Sequence, residues 1–383
     1  MGIDLAAAEE LFAASTDATV GLEEEFMVLD AESLDLVPRF EELRDLATAD
    51  DAVLAESIAG ELISSEIEIR SGRGEDLHDA LRRQRDARNR LFALAEVRGI
   101  ALGATGTHPW ADYREQRNID TEHYRRVVGG LQYVARRNNT FSLHVHVGAR
   151  DADRAVRACD RLRPVLPLLL SISANSPYLD ARDSGLHSAR SQAFTKSFPR
   201  CGIPDAYGSW KAFREYIEFL VATDSIEEYT QVWWSIRPHL SFGTVEVRIC
   251  DAQSTAAEAE ALSALIVATV AQALRDNDEG VPFADPPNRL IEENFWRAIR
   301  HGQDGTLLDL DRGEAFPAAA AVDRLLQWTA PVRAELGIDP SFPALNGAQR
   351  QRRAIDAGAG MQEVFTAAVR ETSQTYVQET ETA

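Results

Sequence analysis

The stretch Thr140-Phe141-Ser142-Leu143-His144-Val145-His146-Val147-Gly148 alternates strictly between apolar and polar side chains. Successive side chains on a strand point to opposite faces, so residues two apart share one. Phe141, Leu143, Val145 and Val147 therefore fall on one face, and His144 with His146 on the other. The pattern predicts a half-buried strand whose wet side carries imidazoles instead of the usual Lys, Thr, Ser and Gln.

Three further segments, 20–30, 62–70 and 243–251, alternate in the same way, and a shorter run at 100–105 ends at the turn Thr107-His108-Pro109-Trp110. Their polar faces are as unusual as the first. Glu23 and Glu25 share a face, as do Glu66, Glu68 and Arg70, while Glu246 and Arg248 alternate with Val245, Val247 and Ile249. One such strand is ordinarily a solvated surface, and one such histidine an ordinary structural residue. Four together, placed in a single sheet, would merge into one patch of acids, histidines and arginine. Stacked carboxylates repel one another unless a cation neutralises them. Carboxylates with an occasional imidazole suit Mg²⁺ or Mn²⁺ better than zinc, and magnesium commonly accompanies phosphate chemistry. Glu24 breaks the pattern, because it lies among Leu22, Phe26 and Val28 on the apolar face. It sits at a strand edge or pairs with an arginine, and both options stay open in the sequence.

Helical periodicity marks 75–97, 210–221, 255–275, 292–300 and 361–375. The segment 151–173 is helical too, but Pro164 and Pro167 should break or kink it. Loops at 281–288 and 302–313 precede a last third that reads as all helical. The expected fold class is α+β. It has an N-terminal segment at 1–17, one domain spanning 18–375, and an acidic tail at 376–383.

The chain of 383 residues carries a net charge of -21, with Lys196 and Lys211 its only lysines. Such a charge argues against nucleic acid and anionic membrane surfaces. Cys159, Cys201 and Cys250 are scattered, as expected in a reducing, cytoplasmic setting without disulfides. The acidic N-terminus lacks the basic start of a signal peptide, and the apolar run at 261–274 is short for a membrane span. No Gly-Lys-Ser/Thr loop, GxGxxG after a strand, or HExxH is present, so any nucleotide must be held in another way.

Taken in order, Gly21-Leu22-Glu23-Glu24-Glu25-Phe26, Glu61 with Glu68, Thr107-His108-Pro109, His144-Val145-His146-Val147-Gly148, Ile236-Arg237-Pro238 and Gly243-Thr244-Val245-Glu246-Val247-Arg248 resemble the glutamate–cysteine ligase type 2 family. The members are also called ATP-dependent carboxylate–amine ligases, and the resemblance runs from about residue 18 to residue 375. It implies a curved antiparallel sheet of the glutamine synthetase catalytic-domain type with flanking helices, and Mg²⁺ or Mn²⁺ bridging ATP to the concave face. By motif position, Glu23, His146 and Glu246 resemble one set of metal ligands, and Glu25, Glu61 and Glu68 a second. Arg248 resembles the arginine that contacts the transferred phosphoryl group, with Glu246 beside it in the catalytic motif. Arg237 and His144 resemble substrate or ATP contacts. Glu66 rivals Glu61 as a ligand, and His144 rivals His146. Strict alternation puts Glu61 and Glu68 on opposite faces, so a turn or bulge must intervene.

The resemblance implies a ligase that joins a carboxylate to an amine through an acyl phosphate. Glutamate and cysteine are the leading pair, although members often show only weak activity with them. The oligomeric state stays open in the sequence, with a homodimer among the options. The alternatives are a guanidino kinase-like phosphotransferase and a non-catalytic ATP or metal sensor on the same fold.

Overall fold

A computed structural model describes residues 3–377. Seven strands form one antiparallel sheet: β1 Val20–Asp30, β2 Ile58–Ala59, β3 Glu66–Arg70, β4 Ile100–Gly103, β5 Ser142–Gly148, β6 Ile236–His239 and β7 Thr244–Asp251. Their order is β6-β7-β5-β1-β3-β2, with β4 pairing the far end of β1. The predicted strands are all present, and the α+β expectation holds. The predicted strand 62–70 is shorter than expected. Residues 62–65 fold into a turn closed by a bond from the Glu66 amide to the Ile63 carbonyl. β6 was not expected as a strand, because Pro238 lies within it. It is tolerated there because β6 is an edge strand, where a missing N–H costs no ladder bond.

Helices cover the apolar face. Here α1 is Leu77–Val97, α2 Ala152–Leu162, α3 Leu166–Ser173, α4 Ala256–Asp278 and α5 Met361–Tyr376. The break between α2 and α3 falls at Arg163–Val165, where Pro164 removes a donor. Leu143, Val145, Val147, Val245 and Val247 pack into one core with α2, α3 and α4. Phe26, Val28, Ile67 and Ile69 pack into a second with α1 and α5. The segment before β1 joins the first core through Leu5, Ala8 and Phe12.

Two expectations are corrected here. The last third is not all helical, since Thr306–Asp309 and Glu314–Pro317 pair as a hairpin that starts inside the loop expected at 302–313 and runs past its end. Leu307 and Phe316 bury their side chains, which holds the hairpin on the core. In addition α4 has 23 residues, long enough by length and composition to cross a bilayer, but 83% of its most apolar window is buried inside the fold. The tail at 378–383 lies outside the described residues. Cys159, Cys201 and Cys250 are all free thiols.

The exception on the apolar face, Glu24, pairs with an arginine. Arg88 of α1 donates from Nε to Glu24 Oε2 at 2.7 Å and from Nη2 to Oε1 at 2.6 Å. Gln84 Nε2 adds a third bond at 2.8 Å, and Arg88 Nη1 reaches Glu260 on α4 at 2.8 Å. Both charges are almost wholly buried, with the guanidinium lying 4.8 Å over the Tyr376 ring. This knot ties β1 to α1, α4 and α5.

Candidate active site

The register lays the polar residues in rows across the sheet. Arg237 faces Glu246, Glu246 faces His146, and His146 faces Gly21. One row on, His144 faces Glu23 and Glu23 faces Arg70, while Glu25 faces Glu68. The pairing of β7 with β5 slips between Val247 and Cys250. Such bulges re-aim a side chain and recur beside active sites. Here the bulge carries Arg248, whose amide donates to the Ser235 carbonyl at 2.8 Å and so extends the β6–β7 pairing by one residue.

Above these rows opens a cleft. Glu23, Glu25, Glu61, Glu68, His144, Arg237, Glu246 and Arg248 all line it, and so does Glu66. His146 lies in the floor, grouped with Glu23 and Glu246. Every site residue expected from the sequence is therefore brought to one place. Glu61 reaches it through the turn at 62–65. Gly60 is required just before that turn, since a Cβ there would meet Phe40 and Ile119 at 2.6 Å. Tyr124 fastens the same corner by donating to the Gly60 carbonyl at 2.6 Å.

The cleft has two electrostatic halves. In the first, Glu246 accepts from Arg237 Nε at 2.5 Å and is also bonded to Arg248. Burial alone would raise its acid, but Arg237, Arg248 and His146 outweigh that and hold it well below the usual range. Glu23 behaves alike: burial opposes ionisation, yet His146 and His144 keep it well below. Burial also opposes the charged form of His146, but Glu23 and Glu246 raise it. His144 is lowered by burial and by Arg248.

The second half is unbalanced. Burial and the Glu25 charge push Glu61 up to about 8. Glu66 is raised well above the usual range by burial and Glu25, and Glu68 by burial and Glu23. The direct cationic partner in this half is Arg70, 3.6 Å from Glu68. Glu25 is held by the Ser142 amide at 2.5 Å and by its hydroxyl at 2.6 Å. One oxygen from each of Glu25, Glu61 and Glu68 lies within 4.8 Å of the others, and the same holds for a ring nitrogen of His146 with one oxygen each of Glu23 and Glu246. Oxygen donors crowded this way, unneutralised in one half, fit a divalent cation.

The two histidines differ. His144 uses both ring nitrogens, Nε2 with Ser142 Oγ at 2.8 Å and Nδ1 with Glu23 Oε2 at 3.0 Å. His146 Nδ1 meets Thr244 Oγ1 at 3.0 Å. Its Nε2 lies 3.2 Å from Glu23 Oε1 and 3.8 Å from Glu246 Oε1 without a hydrogen bond to either. Three more buried atoms facing this region lack partners: Glu66 Oε2, Arg248 Nε and His239 Nδ1. Buried orphans are costly and rare, and their clustering in one cleft marks a ligand site.

Sequence reading missed Arg190, which lines the cleft and holds the bulge. It donates from Nη1 to the Ile249 carbonyl at 3.0 Å and from Nη2 to the Arg248 carbonyl at 3.1 Å. It also missed the aromatic lining of Phe194, Phe198, Trp233 and Phe242. These residues lie on turns and short segments with no period to reveal a face.

The fold matches solved ligases. A glutamate–cysteine ligase from Francisella tularensis, in complex with AMP, superposes with a TM-score of 0.70 at 12% identity, over 96% of this chain and 90% of that one. A bifunctional glutathione synthetase from Pasteurella multocida gives 0.69 at 13% identity; it covers 98% of this chain, which spans 54% of that longer one. Among curated relatives, a protein of Solibacter usitatus provisionally named glutamate–cysteine ligase 2 is 35% identical over 92% of this chain and 93% of its own length. A Rubrobacter xylanophilus protein with the same provisional name is 37% identical over 87% and 89%. The family model for glutamate–cysteine ligase family 2 matches residues 19–379, and with those full-length relatives it makes the chain a member of that family.

Proposed function

We propose that this protein is an ATP-dependent carboxylate–amine ligase that activates its acid as an acyl phosphate, with glutamate and cysteine as the first pair to try. The observation that carries the reading is the divided cleft. A neutralised half presents Arg248 with its Nε unpaired, and an over-acidic half asks for a cation. Glu23, His146 and Glu246 would hold one divalent cation, and Glu25, Glu61 and Glu68 another. The free Nε2 of His146, with Nδ1 oriented by Thr244, favours it over His144 as the ligand. When bound, such cations supply charge neutralisation to phosphate oxygens.

The remaining chemistry belongs to side chains. A carboxylate oxygen of the substrate forms a bond to the γ-phosphorus as the bond to ADP breaks. The amine then attacks the acyl carbon, phosphate departs, and the amine gives up a proton. Arg248, kept charged by Glu246 and lining the cleft, would stabilise the charge that grows on the phosphoryl group. Arg237 spends its donors on Glu246 and the Val232 carbonyl, so it positions Glu246. Arg190 positions Arg248 through the backbone of the bulge.

ADP release on mixing ATP with an acid and an amine should require Mg²⁺ or Mn²⁺ and stop in excess EDTA. The same cation should stabilise the fold in a pH-dependent way. Glu61 is raised in the folded state, so its stabilising contribution is full below the ordinary carboxyl range, near 4.5, and is lost as pH rises toward about 8. The melting temperature of chelator-treated protein should therefore fall between about pH 5 and pH 8, and Mg²⁺ should restore more at the higher value. A melting temperature indifferent to both pH and Mg²⁺, together with turnover in EDTA, would contradict the reading.

A further inference from the structure

At the rim of the cleft beside the first cluster of donors, Phe242 is 56% exposed, although it belongs to a rigid turn. Its amide and that of Gly243 both donate to the His239 carbonyl, at 3.3 and 3.1 Å. Gly243 has φ of +63°, and a Cβ there would meet the Leu11 carbonyl oxygen at 2.9 Å, so the turn demands glycine. One face of the Phe242 ring is covered by the parallel ring of His239, with centroids 4.3 Å apart and planes 11° off parallel. His146 approaches the pair edge-on, 5.5 Å from Phe242 and 5.1 Å from His239. Trp233, also in the cleft, is more enclosed, since Phe198 lies against it at 5.4 Å and Arg200 over its ring at 5.8 Å.

Of the large apolar side chains left exposed among the described residues, Phe242 is the one that lines the cleft. With His239 parallel to one face and, among the described residues, no ring stacked on the other, it makes a stacking platform, which suits a flat heteroaromatic ring and gives little to a phosphate. Because His146 touches both the platform and the acids Glu23 and Glu246, one molecule can place phosphates over the acids and a ring on Phe242. The geometry points to Phe242 and His239 as the platform that stacks the base of the bound nucleoside triphosphate.

This inference rests on the proposed use of ATP, and its test separates the two. Binding of ATP and of inorganic tripolyphosphate, each with Mg²⁺, is measured by calorimetric titration on the full-length protein and on Phe242→Ala and Phe242→Trp. Loss of one stacked base should weaken ATP binding by Phe242→Ala about tenfold or more. Tripolyphosphate should bind both proteins alike, and Phe242→Trp should keep ATP affinity near the parent value. ATP binding to Phe242→Ala within twofold of the parent, or an equal loss for tripolyphosphate, overturns the platform while leaving ATP use intact. A parent protein that binds neither ligand overturns both readings.

Discussion

Replacing Arg248 by alanine is expected to lower turnover a hundredfold or more while leaving nucleotide affinity nearly unchanged. The reasoning is differential: an interaction that strengthens only as charge develops on the phosphoryl group affects the rate and not the binding. Removing one such donor typically costs about 3 kcal/mol in the transition state. Arg248 is suited to this because Glu246 holds its charge while the side chain lines the cleft. Glu246→Gln should behave differently and weaken metal-dependent nucleotide binding, because it removes a donor oxygen of the Glu23–His146–Glu246 group. Steady-state rates with parallel titrations check both, and near-normal turnover in both variants would remove these residues from the chemistry.

The second large effect concerns stability. Arg88→Met should destabilise the fold by about 3–5 kcal/mol, the usual cost of leaving a buried charge without its partner. Glu24 would lose two of its three side-chain bonds and keep only that from Gln84. Glu260 would suffer less, because Arg85 still reaches it at 2.5 Å. The double variant Glu24→Gln, Arg88→Met should recover much of the loss, since it removes both charges. Denaturant unfolding measures this, and a single variant as stable as the parent would contradict the account of the knot. Glu24 lies between Glu23 and Glu25, so the knot also anchors the segment of β1 that carries two site acids.

That knot shows where sequence reading stops. Alternation placed Glu24 on the wrong face for an acid and left a strand edge or an arginine partner open; the partner, Arg88, is 64 residues away on a helix. Nothing local selects it from the other arginines. The acids and histidines of the site were legible because a strand's period of two sorts side chains by face wherever one face is buried. All of them line or underlie the cleft. Glu61 was legible only as a requirement for a turn, and the turn at 62–65 supplies it. Arg190 and Phe242 were not legible. One acts through backbone carbonyls at a bulge, and the other projects from a turn, so neither leaves a periodic trace. The hairpin after residue 305 was hidden because its strands are four residues each and its turn reads as a loop.

The central claim, that this cleft uses ATP to activate a carboxylate before the amine arrives, is tested most directly by trapping. Protein, ATP, Mg²⁺ and glutamate are incubated with hydroxylamine and no amine substrate, and the assay is repeated across amino acids and dicarboxylic acids. The account predicts hydroxamate and ADP in equal amounts with at least one acid, and both lost in Arg248→Ala. ADP release without hydroxamate from every acid tried would leave an ATPase or a kinase of another group, and would contradict the claim.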